Sequence, residues 1–211
     1  MDLDDLRSAL AGTAGGGWLA EALDRIAGEP GAVGRLFAAA GRRVGRTPLT
    51  AGWSADEAAR ALLLAALPAD LVAERAETLY RFGDAAEKRA VLKALPLLPV
   101  GAAAVPLLHD AIRTNDARLV AAAVGPYARH LDRAAWRQAV LKCVFMGLPL
   151  AVVDDLDARA DAELAVMLGG LVEERRAAGR EVAADAVDLL ARLTAGAPAG
   201  GPAGTDARNE A

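Results

Sequence analysis

The stretch Asp84–Pro96, DAAEKRAVLKALP, holds a whole helix between its start and stop signals. Asp84 can accept from the backbone N–H of Glu87, and the Glu87 carboxylate can reach back to the N–H of Asp84, a reciprocal cap that opens a helix. Ala90, Val91, Ala94 and Leu95 then recur at helical spacing, and Pro96 and Pro99 stop the run. The same grammar is written outward in both directions. Upstream, Ser54-Ala55-Asp56-Glu57 caps a helix that runs to about Leu67 and is punctuated by Pro68, and Leu71, Val72, Ala76, Leu79 and Tyr80 form the stripe between the two. Downstream, Leu107, Leu108, Ala111 and Ile112 are closed by Arg113 and an Asn115-Asp116 turn. Leu119, Val120 and Val124 end at Gly125-Pro126, and Asp132 caps an apolar helix from about Arg133 to Met146, stopped by Gly147 and Pro149.

Further out the pattern continues. Leu164, Met167, Leu168, Leu171 and Val172 make the longest clean stripe, Gly179 reads as a C-cap, and Val182, Ala186, Val187 and Leu190 mark a last helix. Toward the N-terminus, Leu3, Leu6 and Leu10 precede a loose Gly15-Gly16-Gly17. Trp18, Leu19, Leu23 and Ile26 run up to a break at Glu29-Pro30, Val33 to Ala40 follow, and Gly45 to Gly52 reads as a loop. Many short helices joined by tight Pro/Gly turns predict an all-α fold of stacked antiparallel helix pairs, either a HEAT-like α-solenoid or an irregular helical bundle. One internal echo favours repetition: Lys88 to Lys93 (KRAVLK) resembles Arg137 to Lys142 (RQAVLK), 49 residues on, slightly beyond the roughly 40–47 of HEAT and armadillo units. Residues 1–194 are expected to form a single helical domain. Residues 195–211, a mixture of Gly, Pro, Ala and isolated charges, have too little to bury and are expected to be a disordered tail.

Composition agrees. The chain is 54% hydrophobic and only 4% aromatic, with alanine and leucine supplying most of the apolar content, and these two head the helix-propensity ranking. A net charge of −4, with both signs interspersed, speaks against a nucleic-acid platform. Arg42, Arg43 and Arg46 read as a solvated helix end. No apolar stretch approaches the roughly 18–20 residues that span a bilayer. The acidic start Met1-Asp2-Leu3-Asp4-Asp5 is unlike a signal peptide, and the single Cys143 asks for no oxidising compartment. The expected location is cytoplasmic.

Familiar catalytic signatures are absent from the sequence: no P-loop, no dinucleotide fingerprint, no nucleophile elbow and no His-Glu-x-x-His. Cys143, in an apolar run, reads as a buried structural thiol. His109 and His130 fall on different predicted elements, and Asp154, Asp155, Asp157 and Asp161 lack the EF-hand spacing, with Asp161 better placed as an N-cap. Neither a metal nor a cofactor is expected. The residues that suggest binding are polar groups at successive helix junctions: Arg81 and Asp84 with Glu87, Lys88 and Arg89 at one, Asp110, Arg113, Thr114 and Asn115 at another, then Tyr127, and with them Lys142. In stacked pairs such junctions fall along one edge, where arginine forks and a tyrosine hydroxyl suit an anionic small molecule or a partner's carboxylates. The plainer alternative is that they cap helices and brace neighbours.

Several of these blocks resemble the EboA family, encoded in gene clusters of the Ebo type. The similarity runs from about residue 53 to 180, through WSADEAAR (53–60), YRFGDAAEKRAVLKALPLLP (80–99), DAIRTN (110–115) and the span from Pro126 to Leu150, with LDAR (156–159) and ERRAAGR (174–180) fitting as well. Gly125 and Ala160 stand where the family tends to carry Asn. The resemblance implies a role in a pathway that makes or moves a small, prenylated metabolite, because such clusters also encode a UbiA-like prenyltransferase beside other small-molecule enzymes. It brings no assigned reaction. The expectation is a non-catalytic accessory or scaffold protein whose partners are other proteins of that pathway or a small anionic ligand. The alternative is a small enzyme or metabolite carrier that binds an anionic or prenylated substrate, and a pocket in which cations converge would favour it.

Overall fold

The computed structural model describes residues 1–50 and 52–195, and it is all-α apart from one small strand pair. The expected tail lies almost wholly outside the described residues. The backbone gathers into two compact units, Met1–Ala158 and a second that begins at Arg159.

In the first unit, α1 (Leu3–Ala11), α2 (Gly16–Gly28) and α3 (Val33–Arg43) surround α4 (Ala55–Ala65). Gly16 and Gly17 join the first turn of α2, where the sequence suggested a loose linker. Between α3 and α4, β1 (Pro48–Thr50) pairs antiparallel with β2 (Trp53–Ser54), a ladder too short to leave an alternating signature in the sequence. Then come α5 (Ala69–Phe82), α6 (Ala85–Ala94), α7 (Val105–Arg113), α8 (Ala117–Ala123) and α9 (Arg133–Met146). Helices α4, α6 and α8 pack successively against one another, with α5 against α4 and α6 and α7 against α8.

The caps fall where the sequence put them. Asp84 accepts from Glu87 N at 2.8 Å while Glu87 Oε2 accepts from Asp84 N at 2.9 Å. Asp132 accepts from Ala135 N at 2.8 Å. Gly147 ends α9 with φ +70, a left-handed residue that glycine adopts without a Cβ penalty. The core is small and aliphatic, as the composition implied: Leu6, Leu10, Leu62, Leu63, Leu64, Leu92, Leu95 and Leu108 are all at most 1% exposed.

Helix α4 differs from its neighbours. Every residue from Ala55 to Leu64 is buried, and three of them are Asp56, Glu57 and Arg60. A helix apolar on every side lies inside a protein, so charges on it must find partners within the fold.

Helix α10 (Leu156–Arg159) straddles the division between the units. The second unit contains α11 (Ala162–Ala177) and α12 (Ala184–Ala195). Asp161 caps α11, accepting from Leu164 N at 3.0 Å. Leu164, Leu168 and Val172 of α11 and Ala186 and Leu189 of α12 are buried, and Leu190 comes within 3.9 Å of where a Cβ on Gly169 would stand.

Candidate functional site

The buried charges of α4 are met from three sides. Arg60 Nη1 donates to Asp56 Oδ2 at 2.6 Å, one helical turn away, and Arg60 Nε donates to the Phe37 carbonyl of α3 at 3.1 Å. Its guanidinium carbon lies 5.3 Å from the Phe37 ring centroid, a cation–π contact. Gly41 leaves room for this arrangement, since a Cβ there would come within 3.2 Å of Arg46 Nε and 3.5 Å of Arg60 Nη2. Ser54 Oγ donates to Asp56 Oδ1 at 2.6 Å, and Glu57 closes the helix cap by accepting from Ser54 N at 3.0 Å.

Glu57 also faces two cations of α6. Arg89 Nη1 lies 2.7 Å from Glu57 Oε1, and Lys93 Nζ donates to Glu57 Oε2 and to the Gly52 carbonyl. Lys93 sits over Trp53, with Nζ 4.4 Å from the ring centroid. Burial, the largest influence, pushes the Lys93 amine below its ordinary pKa of 10.5, against the pull of its hydrogen bond to Glu57.

Arg89, Lys93 and Trp53 form one wall of a cavity of about 810 Å³, within the range of roughly 300–1,000 Å³ typical of small-molecule sites. Its remaining walls come from α6, α8 and the segments that follow α8 and α9, and its floor is apolar, from Leu92, Leu97, Ala121, Leu148 and Val152. Among the described residues four cationic side chains reach it, Arg89, Lys93, Arg118 and Arg129, and no carboxylate lines it. Glu57 offsets one of the two charges on Arg89 and Lys93. Arg118 is matched by Asp116, whose Oδ2 accepts from Nη2 at 2.8 Å and whose carboxyl this contact holds down at about 2. Arg129 Nη1 donates to the Pro126 carbonyl at 3.4 Å, and no described carboxylate pairs with it. The lining thus keeps a surplus of two positive charges around an apolar floor, complementary to a dianionic head on an apolar body.

Eight of the residues singled out in the sequence lie elsewhere and fall into separate groups. Tyr80 Oη donates to Asp110 Oδ2 at 2.9 Å, Arg113 Nη2 approaches Asp110 Oδ1 at 3.5 Å, and Lys88 Nζ lies 5.2 Å from the Tyr80 ring centroid. Burial, with Asp110 adding to it, pushes the Tyr80 phenol far above its usual range. Arg81 pairs with Glu77 of its own helix at 3.7 Å, and Asp84 is occupied as a cap. Lys142 Nζ donates to Asn115 Oδ1 at 3.1 Å. Tyr127 is buried, accepts from Ala104 N at 3.1 Å and donates to the Gly101 carbonyl at 2.6 Å. None of the eight lines the cavity.

Sequence reasoning placed Arg89 at a helix junction with Arg81 and Lys88 but missed its meeting with Glu57, which was accounted for as a cap, and missed Trp53 and Lys93 altogether. The available signal was Arg60, a cation inside Ala58–Leu64, a run otherwise apolar on all sides. His130 stacks against Tyr127 with ring centroids 4.8 Å apart, and Cys143 is buried, which pushes its thiol up to about 11. Among the described residues no group of three or more His, Cys, Asp or Glu side chains could hold a metal ion, and no helix is long and apolar enough to cross a membrane.

No match was found among curated proteins or among solved structures. A family model described as metabolite traffic protein EboA matches residues 35–191. That span is wider at both ends than the blocks legible by eye, and it contains α4, α6, α8 and every cavity residue except Met1. The match covers most of the chain, which therefore belongs to the EboA family and has a role in a metabolite pathway.

Proposed function

We propose that the protein is a carrier or binding protein for a small anionic metabolite with a sizeable apolar body, held in the cavity between α6 and α8. The observation that supports it is the pairing of an apolar floor with four cationic side chains around the cavity and no carboxylate among its described lining residues. A convergent cationic pocket is the feature that separates a carrier from a pure scaffold, and, Arg89 apart, it arises here from residues other than those the sequence suggested. Binding follows from two additive contributions. Burial of the apolar body gives about 0.8 kcal/mol per CH₂, and the cations fix the head and reject neutral analogues. The row α4–α6–α8 is consistent with a helical-repeat reading, and partner proteins of the pathway would be recipients or donors of the ligand.

Isothermal titration with dodecyl phosphate, dodecanol and inorganic phosphate tests this. Dodecyl phosphate is expected to bind more tightly than dodecanol by about tenfold or more, the equivalent of one charge-assisted hydrogen bond, and inorganic phosphate is expected to bind most weakly. Arg129→Ala should lower dodecyl phosphate affinity by a similar factor. Equal affinity for the alcohol and its phosphate ester, or no binding of either, would overturn the reading.

A further inference from the structure

Lys93 stands apart from the other cations of the cavity. The chain has 21 arginines and three lysines, and of the four cationic side chains on the cavity wall Lys93 alone is a lysine. An arginine keeps its charge throughout the working pH range, whereas a lysine amine can give up its proton. A wall built only to hold an anion has no need of that difference.

The surroundings of the amine make use of it. The Lys93 side chain is 15% exposed, its Nζ rests on the Trp53 ring, and its hydrogen bonds go to the Glu57 carboxylate and the Gly52 carbonyl. The charged groups that act on it are Glu57 and Asp56 of α4 and Arg89 of its own helix. Burial and Arg89 both push the amine toward its neutral form, while Glu57 and Asp56 oppose them. An amine that is desolvated, beside a second cation and bonded to a carboxylate has the features of a lysine nucleophile. The other two lysines have none of this set: Lys88 lies over Tyr80, Lys142 bonds Asn115, and neither reaches the cavity.

We propose that Lys93 forms an imine with an aldehyde or ketone group of the anionic metabolite, with Glu57 relaying the protons. The proposal rests on the binding reading given above. Glu57 first takes one proton from the ammonium. The freed lone pair of Nζ adds to the carbonyl carbon as the C=O π pair moves onto oxygen. The two protons left on nitrogen pass to that oxygen through the same carboxylate, and the oxygen leaves as water. The proton held by Glu57 then returns to the imine nitrogen, so the product is a protonated imine paired with the Glu57 carboxylate, and charge and atoms balance with no other reagent. Trp53 and Leu92 line the cavity beside the amine, and water that enters it reverses each step, adding to C=N and returning the carbonyl compound and the ammonium, so the link suits a protein that holds a reactive carbonyl compound and releases it.

The probe is pyridoxal 5′-phosphate, which joins an aldehyde to a phosphate ester. The whole protein is incubated with it at neutral pH, reduced with borohydride and digested, and the peptides that carry the three lysines are compared by mass spectrometry. A lowered pKa leaves more of an amine free at neutral pH. Lys93, desolvated and set in the cationic cavity, is therefore expected to be labelled faster than Lys88 or Lys142, and dodecyl phosphate is expected to slow that labelling. Lys93→Arg, checked for fold by its circular dichroism and melt, should lose the fast label. Equal labelling of the three lysines in a protein that still binds dodecyl phosphate overturns the imine and leaves the binding reading standing. Fast, selective labelling of Lys93 in a protein that does not bind dodecyl phosphate supports the imine and overturns the ligand class instead.

Discussion

The rim where α5 and α7 end and the wall between α4 and α6 are built from the same residue types, yet water reaches the charges of one freely and is largely kept from the α4 charges of the other. At the rim, the side chains of Arg81 and Arg113 are 70% and 74% exposed and meet carboxylates at 3.7 and 3.5 Å. In the wall, Arg60 and Asp56 are 2% and 4% exposed and meet at 2.6 Å, and Glu57, 4% exposed, meets the partly exposed Arg89 at 2.7 Å. Two unit charges 4 Å apart attract by about 1 kcal/mol in water and by about 4 kcal/mol in the partly shielded interior. Removing them from water in the first place costs several kcal/mol per ion. The same letters in the sequence thus stand for a negligible interaction in one region and for a set of obligatory partners in the other.

Breaking the buried side is expected to have the largest effect. Arg60→Ala leaves Asp56 without its nearest cation and the Phe37 carbonyl without its Nε donor, and loss of one partner from a buried ion pair costs about 3–5 kcal/mol. Urea unfolding measures it. A loss below about 1 kcal/mol would mean that the Asp56 carboxylate is satisfied by water, and the contrast between the two regions would collapse. Tyr127→Phe tests a neutral counterpart. It removes the acceptor of the Ala104 N–H and the donor to the Gly101 carbonyl in a residue 2% exposed. A buried backbone group left unsatisfied costs about 1–3 kcal/mol, so the melting temperature should fall by less than for Arg60→Ala. A fall as large would show that hydrogen bonding, and not charge, sets the scale in this interior.

These two residues also show how far the sequence could be read. Caps are local, and Asp84, Asp132 and Asp161 each announced a helix start because the side chain and the N–H it accepts from are three residues apart. The all-α fold followed from such signals and from helical spacing. The cavity did not, because its wall is assembled by packing: Lys93 meets Glu57 and Gly52 across separations of 36 and 41 residues, and nothing local marks that meeting. Asp56 and Glu57 were masked by a second role, since a cap needs acidic residues in its first turn for its own reasons. Arg60 was the exception. A cation within Ala58–Leu64 sits on a helix with no polar face to carry it, and that misfit is visible without coordinates. The polar helix junctions were legible as groups of residues but not as a single edge, because Tyr80–Asp110 and Lys142–Asn115 close on themselves.

Arg113→Ala sharpens the comparison from the exposed side, and the expected effect on stability is the smallest of the three. The guanidinium is three-quarters exposed and its one carboxylate contact is long, so the side chain exchanges a solvated pairing for water at a change of less than about 0.5 kcal/mol. Asp110 keeps the Tyr80 hydroxyl as its donor at 2.9 Å, so no buried group is stranded. A melt lowered by several degrees would mean that Arg113 braces the helix junction and that exposure is a poor guide here. The same variant carries a second reading. If its melt is normal and its affinity for dodecyl phosphate is unchanged while the output of the pathway in cells falls, the rim is a contact surface for a partner, served by residues with no structural duty. If output is also unchanged, Arg113 is neither site nor brace, and the function of the first unit is concentrated on the wall that Glu57, Arg89 and Lys93 share.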